Sequence, residues 1–212
     1  MKFMSVQQCG NMNNTGIIIL AAGGSSRFGN IKQLLPFNGK TLLQHVIDEA
    51  AKTGAQPIVV ITGANATRVS VSIADSRVNI VNNENWQDGM ASGIVAGVHN
   101  AVSLNDGLKK IIVAVCDQPF VTSALFEQLD QMQNKSGKSI VACTYADTIG
   151  TPALFTTKYF DQLLSLKGDE GAKKILKSNS EDVATVDFPK GEIDIDTQKD
   201  YENLVDEQKH IL

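Results

Sequence analysis

A chain of 212 residues with 42% hydrophobic content can bury a sizeable core, and its length favours one domain, two at most. A net charge of -4 excludes a general nucleic-acid binder, which needs clustered positive charge against phosphates, so any anion site must be local. Cys9, Cys116 and Cys143 are widely spaced, with no C-x-x-C pair and no matching histidine spacing; no disulfide framework or zinc site is expected, and a reducing cytoplasmic setting is.

Residues 1–15 lack the apolar centre of a secretory signal and read as a mobile tail or leader, with a single domain expected over 16–212; no run approaches the roughly 18 apolar residues of a membrane span. Residues 16–22 (Gly-Ile-Ile-Ile-Leu-Ala-Ala) form a short apolar run ended by glycines, as expected of a buried parallel strand. The run turns directly into a loop carrying Gly23, Gly24 and Gly29 and the cations Arg27 and Lys32. Glycines let the backbone approach a ligand so that N–H groups face phosphate oxygens. The loop is neither a Gly-Lys-Ser/Thr P-loop nor a G-x-G-x-x-G fingerprint, and taken alone it also reads as a polar strand-to-helix connection.

Thr41-Leu-Leu-Gln44 fits a capping box that opens a helix ending at Gly54. A strand is expected over 57–62, a weak helix over 64–75, a strand over 78–81 and a helix over 91–104. A strand over 110–116, a helix from the cap Thr122 to about 134 and a strand over 139–144 continue the alternation. Strand and helix alternate throughout, which makes the fold α/β, with a mostly parallel, doubly wound sheet and helices on both faces. Beyond residue 145 the rhythm loosens into a short strand at 152–155, helices at 157–166 and 169–177, an edge strand at 183–188 and a polar helix over 197–208. In such sheets ligands collect outside the carboxyl ends of the strands, where the glycine loop and the segments after Val81, Cys116 and Ile195 are expected.

Asp117 follows the strand at 111–116 and precedes Gln118-Pro119, which leaves its carboxylate at the strand end, in a turn or on a metal. Magnesium takes few protein carboxylates alongside phosphate oxygens and water, so one or two aspartates suffice. Asp194 and Asp196 alternate with isoleucines and point to one side of an extended segment. Either can be a solvated edge residue; Asp196, at the junction before the last helix, is the better metal candidate. Gly89, Gly93 and Gly97 fall four apart, a spacing that lets a helix pack closely, while Gly89, Met90 and Ser92 lie at its start, where N–H groups and a hydroxyl can meet a base or ribose. His45, His99 and His210 occupy no catalytic context.

Over roughly residues 16–204 the chain resembles the molybdenum cofactor cytidylyltransferase branch of the small nucleotidyltransferases, a group that includes the molybdenum cofactor guanylyltransferases. The resemblance is carried by Leu20-Ala-Ala-Gly-Gly-Ser-Ser-Arg-Phe-Gly29 with Lys32 and Leu34-Leu-Pro36, by Asn85-Trp86 with Gly89-Met-Ala-Ser92, by Cys116-Asp-Gln-Pro119 and by Asp194-Ile-Asp-Thr197. It implies a Rossmann-like nucleotidyltransferase fold and transfer of CMP from CTP to the terminal phosphate of molybdopterin, with release of pyrophosphate. Gly23, Gly24, Arg27 and Lys32 would wrap the triphosphate, with Arg27, Lys32 and Asp117 serving catalysis. Ala21, Ala22, Gly89, Met90 and Ser92 would seat base and ribose, and Asp117 and Asp196 would hold Mg2+. Residues 150–155 and 168–172 would shape the acceptor side. Guanylyltransferases of the group usually carry glycine where this chain has Ala22, which leans the reading toward CTP. The alternatives are GTP or another nucleoside triphosphate with a different phosphorylated acceptor, and a non-catalytic chaperone that delivers cofactor to a molybdoenzyme client.

Overall fold

The computed structural model describes residues 12, 14–24, 28–73 and 77–209. In chain order the elements are β1 (Thr15–Leu20), the short hairpin β2 (Pro36–Phe37) and β3 (Lys40–Thr41), α1 (Leu42–Lys52), β4 (Ile58–Thr62), α2 (Ala66–Ser72) and β5 (Val78–Asn82). There follow α3 (Met90–Leu104), β6 (Lys110–Val115), α4 (Ser123–Ser136), β7 (Ile140–Tyr145), β8 (Thr148–Thr156), α5 (Phe160–Leu164), α6 (Ala172–Ser178), β9 (Val183–Asp187) and α7 (Gln198–Lys209). Seven strands form one sheet in the order β5-β4-β1-β6-β8-β7-β9. Every pairing is parallel except the two made by β8, so the sheet is mostly parallel, as expected.

The apolar runs are continuous because both faces of the sheet are covered. Along β1, Ile17 and Ile19 face α1 and α4, meeting Leu43, Val46, Ile47, Phe126 and Leu129. Ile18 faces the other way, into a cluster with Ile94 and Val98 of α3, Leu163 of α5 and Leu176 of α6. Helix α3 lies so close to β1 that a Cβ on Gly97 would sit 2.5 Å from Ile18 Cγ2. Thr41 and Thr122 accept hydrogen bonds from the N–H groups of Gln44 and Leu125, capping α1 and α4.

Three boundaries differ from the sequence reading. The strand expected over 16–22 is β1 at Thr15–Leu20; before it Asn14 O accepts from Lys109 N and Lys110 N, and Met12 is buried in the core. Residues 1–11 and 13 lie outside the described residues. Strand β8 is nine residues long rather than four, and it runs antiparallel between β6 and β7. The helix expected over 157–166 is a 3-10 turn at Thr157–Tyr159 followed by the short α5.

A third cluster sits at the carboxyl end of the sheet, where Phe28, Phe37, Leu42, Ile195 and Leu204 pack together. It ties the segment after the glycine loop to the segment before α7. Lys32 and Asp196 belong to those two segments.

Candidate active site

The strand order reverses between β1 and β6, and at that point the two chain segments leave the sheet side by side; Cys116 N still donates to Leu20 O. A crevice opens where consecutive strands diverge in this way. Its volume is about 510 Å³, and its lining includes Ala21, Ala22, Gly23, Gly24, Lys32, Gly89, Met90 and Asp117.

Lys32 begins a 3-10 turn, Lys32–Leu34. Its ammonium donates to Asp117 Oδ2 at 2.6 Å and to Asp196 Oδ1 at 2.8 Å. Burial acts to lower the pKa of Lys32, but the Asp117 charge and the hydrogen bonds to both carboxylates override it and hold the pKa above its ordinary value. One positive charge therefore marks the point on which two carboxylates converge. Asp194, close by, is pushed above the usual carboxylate range by burial and by the charges of Asp196 and Asp117.

Backbone and caps hold these carboxylates in place. Ile195 N donates to Asp117 O at 3.1 Å, and the buried Gln118 amide donates to Gly191 O at 2.8 Å, so the residues after β6 grip the residues before α7. Thr197 and Asp200 cap α7 reciprocally: Thr197 N donates to Asp200 Oδ2 at 2.7 Å and Asp200 N donates to Thr197 Oγ1 at 3.3 Å. Asp196 N also donates to Asp200 Oδ2, which fixes the residue carrying the second carboxylate. Cys116, beside Asp117, is buried and its thiol is pushed far up by desolvation, so it is a packing residue rather than a nucleophile.

The other wall comes from the segment between β5 and α3. Gly89 adopts φ +94°, and a Cβ there would lie 2.4 Å from Gly168 O and 2.5 Å from Asp169 Oδ1. The loop before α6 thus closes onto the start of α3, with Ala91 N donating to Gly168 O. Ser92 lies behind the cleft surface: its hydroxyl donates to Gly89 O and accepts from Asn83 Nδ2, both at 2.8 Å. Asn83 and Asp169 line the cleft itself, with Trp86 and Gln87. Arg27 lies outside the described residues.

Asn83, Asp169 and Gln33 are among the cleft residues to which motif spacing gave no role. Asn83 directly follows β5 in a polar run, and nothing local distinguishes it from Asn82, the last residue of the strand. Asp169 sits in the segment assigned to the acceptor side, and its carboxylate lies against Gly89 in the cleft lining. Gln33, only 1% exposed, donates through Nε2 to Ala21 O and Gly23 O, each at 2.9 Å.

Asp117 Oδ2 and Asp196 Oδ1 are hard oxygen donors gathered around one cation position, which fits a divalent ion of the magnesium type. Among the described residues no group of three or more His, Cys, Asp or Glu side chains is assembled to hold a metal on protein ligands alone. Magnesium bound through one or two carboxylates plus phosphate oxygens needs no such group.

A doubly wound sheet with a glycine-rich loop, a lysine and an aspartate pair at its switch point is the architecture of a nucleotidyltransferase. Residues 17–183 match the MobA-like NTP transferase domain, and the chain belongs to that family. It is 35% identical over 139 residues to a molybdenum cofactor guanylyltransferase of Yersinia pestis, covering 64% of this chain and 62% of that one. It is 36% identical over 103 residues to nicotine blue oxidoreductase of Paenarthrobacter nicotinovorans, covering 48% of each, so the match spans about half of that relative. The solved structure of Rv0371c from Mycobacterium tuberculosis is similar at 28% identity and a TM-score of 0.78, covering 92% of this chain and 99% of that one. A second structure of that protein is a complex with manganese, similar at 27% identity over 92% of this chain and 99% of that one, with a TM-score of 0.71. Among the described residues no helix is long and apolar enough to cross a membrane.

Proposed function

We propose that this nucleotidyltransferase moves CMP from CTP to the terminal phosphate of molybdopterin, in its free or metal-loaded form, and releases pyrophosphate. The observation that carries the reading is the convergence of Asp117 and Asp196 on Lys32, beside a cleft lined by Lys32, Asp117 and the glycine loop, whose other wall is the segment between β5 and α3. An oxygen of the acceptor phosphate attacks the α-phosphorus of CTP in line, the bond from that phosphorus to the bridging oxygen of the β-phosphate breaks, and pyrophosphate leaves. The attacking oxygen is already anionic, so no strong general base is required, which suits a cleft with no histidine among its described lining residues. Lys32 and the loop N–H groups balance charge on the leaving group, and Arg27 is assigned the same task from the sequence. A magnesium ion held by Asp117 and Asp196 would neutralise charge at the α-phosphate. Ala21, Ala22, Gly89 and Met90 seat the base and ribose, with Ser92 holding Asn83 behind them.

Ala22 supports CTP, through the resemblance to cytidylyltransferases. GTP is the second reading, favoured by the Yersinia relative, which is named a guanylyltransferase. Purified protein with magnesium, molybdopterin and each nucleoside triphosphate in turn, read by pyrophosphate release, tests both. Release with CTP alone supports the first reading and release with GTP alone the second; tight binding without release points to a cofactor chaperone that serves a molybdoenzyme.

A further inference from the structure

Gln33 is a buried amide, 1% exposed. Its Nε2 donates to two carbonyls of the glycine loop, Ala21 O and Gly23 O, both at 2.9 Å, and its side chain spans from the 3-10 turn that carries Lys32 to the loop that leaves β1. In a trans peptide the C=O and the following N–H point in opposite directions. Drawing Ala21 O and Gly23 O toward Gln33 therefore turns Ala22 N–H and Gly24 N–H away from it. Between them Ala22 O is held by Ala64 N at 3.3 Å, which turns Gly23 N–H away from Ala64 in the same manner. Among the described residues none accepts a hydrogen bond from Ala22 N, Gly23 N or Gly24 N, and all three residues line the cleft.

We infer that Gln33 is the positioning residue that sets the loop N–H groups for a polyphosphate anion. The inference rests on the nucleotidyltransferase reading and adds to it the side chain that makes the loop a receptor. A loop of glycines is conformationally permissive and loses entropy when it is ordered on a ligand. Two hydrogen bonds from one buried amide remove that freedom beforehand, and a side chain held by packing keeps the loop rigid. Gln33 also neighbours Lys32 in sequence, so one turn delivers both the cation and the clamp.

The test uses the full chain with CTP, and with inorganic tripolyphosphate as a probe that lacks base and sugar. Gln33→Met removes the donor at similar size, and Gln33→Glu sets an acceptor against two carbonyls. The expected result is at least a tenfold weaker tripolyphosphate affinity and a tenfold higher KM for CTP in both variants. The KM for the acceptor should stay within twofold and kcat within about threefold. Wild-type tripolyphosphate affinity in a folded Gln33→Met protein overturns the inference, as does an equal rise in both KM values, which a general loss of structure would produce. Should both variants fail to fold, wild-type NMR decides: the Gln33 side-chain amide protons should exchange slowly, and Gly23 and Gly24 amides should move on adding tripolyphosphate. Rapid exchange of that side chain or unmoved glycine amides overturns the inference. Wild-type protein that binds neither CTP nor tripolyphosphate overturns the nucleotidyltransferase reading itself.

Discussion

At the amino ends of the strands Asp130 and Asp182 each collect three donors, whereas at the carboxyl ends Asp117 and Asp196 share one. Asp130 accepts from Thr15 Oγ1, Lys110 Nζ and Asn134 Nδ2, tying β1 and β6 to α4. Asp182 accepts from Ser139 N, Lys158 Nζ and Tyr159 Oη, joining the starts of β7 and β9 to the end of β8. Those carboxylates have their hydrogen bonds completed within the chain and serve as rivets. Among the described residues Asp117 and Asp196 receive side-chain hydrogen bonds from Lys32 alone, which leaves oxygen lone pairs open, those of Asp117 in the cleft lining. No buried side-chain polar atom among the described residues lacks a partner, so open bonding capacity lies at accessible positions, and at Asp117 it lies in a cleft beside a lysine and a glycine loop. Acidity by itself does not mark a site; the company the carboxylate keeps does.

The sharpest way to break this comparison is to exchange the readouts of the two ends. Asp117→Ala should lower turnover at least a hundredfold, the effect of removing about 3 kcal/mol of transition-state stabilisation, with little change in the unfolding midpoint. Pyrophosphate release at the wild-type rate in magnesium would remove Asp117 from the mechanism. Lys32→Ala comes next, since it takes away a cation bonded to two carboxylates and leaves those like charges facing each other. Charged hydrogen bonds of this kind are worth about 1.5–3 kcal/mol, so kcat/KM for CTP should fall between roughly tenfold and a hundredfold. Steady-state kinetics at varied CTP is the measurement, and unchanged affinity with unchanged turnover would end its role.

At the other end Asp182→Ala should cost stability and leave the rate untouched. Three hydrogen bonds to a partly exposed carboxylate are together worth about 1–2 kcal/mol, a fall of a few degrees in the unfolding midpoint. The Lys158 ammonium, then the Ser139 N–H, hold the Asp182 carboxyl well below the usual carboxylate range. A depressed folded-state pKa contributes stability above the unfolded value, near pH 4, and loses it as pH falls toward the folded value. The gap between wild type and Asp182→Ala should therefore be constant from about pH 5 to 8 and narrow below about pH 4, as followed by denaturant melts. A gap that widens in acid would contradict this sign.

The same contrast governs what could be read from the sequence. Caps at Thr41 and Thr122 were legible because donor and acceptor lie three residues apart and the motif is local. The parallel strands were legible because burial on both faces writes a continuous apolar run, as in Ile17, Ile18 and Ile19. The first half of β8, Thr148-Ile-Gly-Thr151, is partly exposed and polar, so it writes no apolar run although it pairs with the adjacent β7; the second half pairs with β6, which lies far back along the chain. Lys32, Asp117 and Asp196 could each be nominated from neighbouring glycine, proline and helix-cap signals. Their contact could not, since it spans 85 and 164 residues and depends on the Phe28 and Ile195 cluster. Gln33 left no trace because a glutamine beside a lysine reads as solvated, and only the folded loop supplies two carbonyls within its reach.

The smallest effect separates the rivet at Asp182 into its parts. Lys158 exerts the largest influence on the Asp182 carboxyl, yet its side chain is 62% exposed, so water and salt screen the pair, and holding the long side chain in one geometry costs freedom that offsets the attraction. Ser139 N–H is a backbone donor just before β7 with no side-chain freedom to lose, and the strand pairing that includes Thr156 N to Ser139 O holds the residue in place. Lys158→Ala should therefore shift the unfolding midpoint within experimental error, and added salt should leave that result unchanged. Tyr159→Phe, which removes a donor whose ring is 2% exposed, should shift it measurably. If Lys158→Ala destabilised the protein as much as Asp182→Ala, the rivet would be a salt bridge, and the distinction between completed backbone bonds below and a shared cation above would fail at that position.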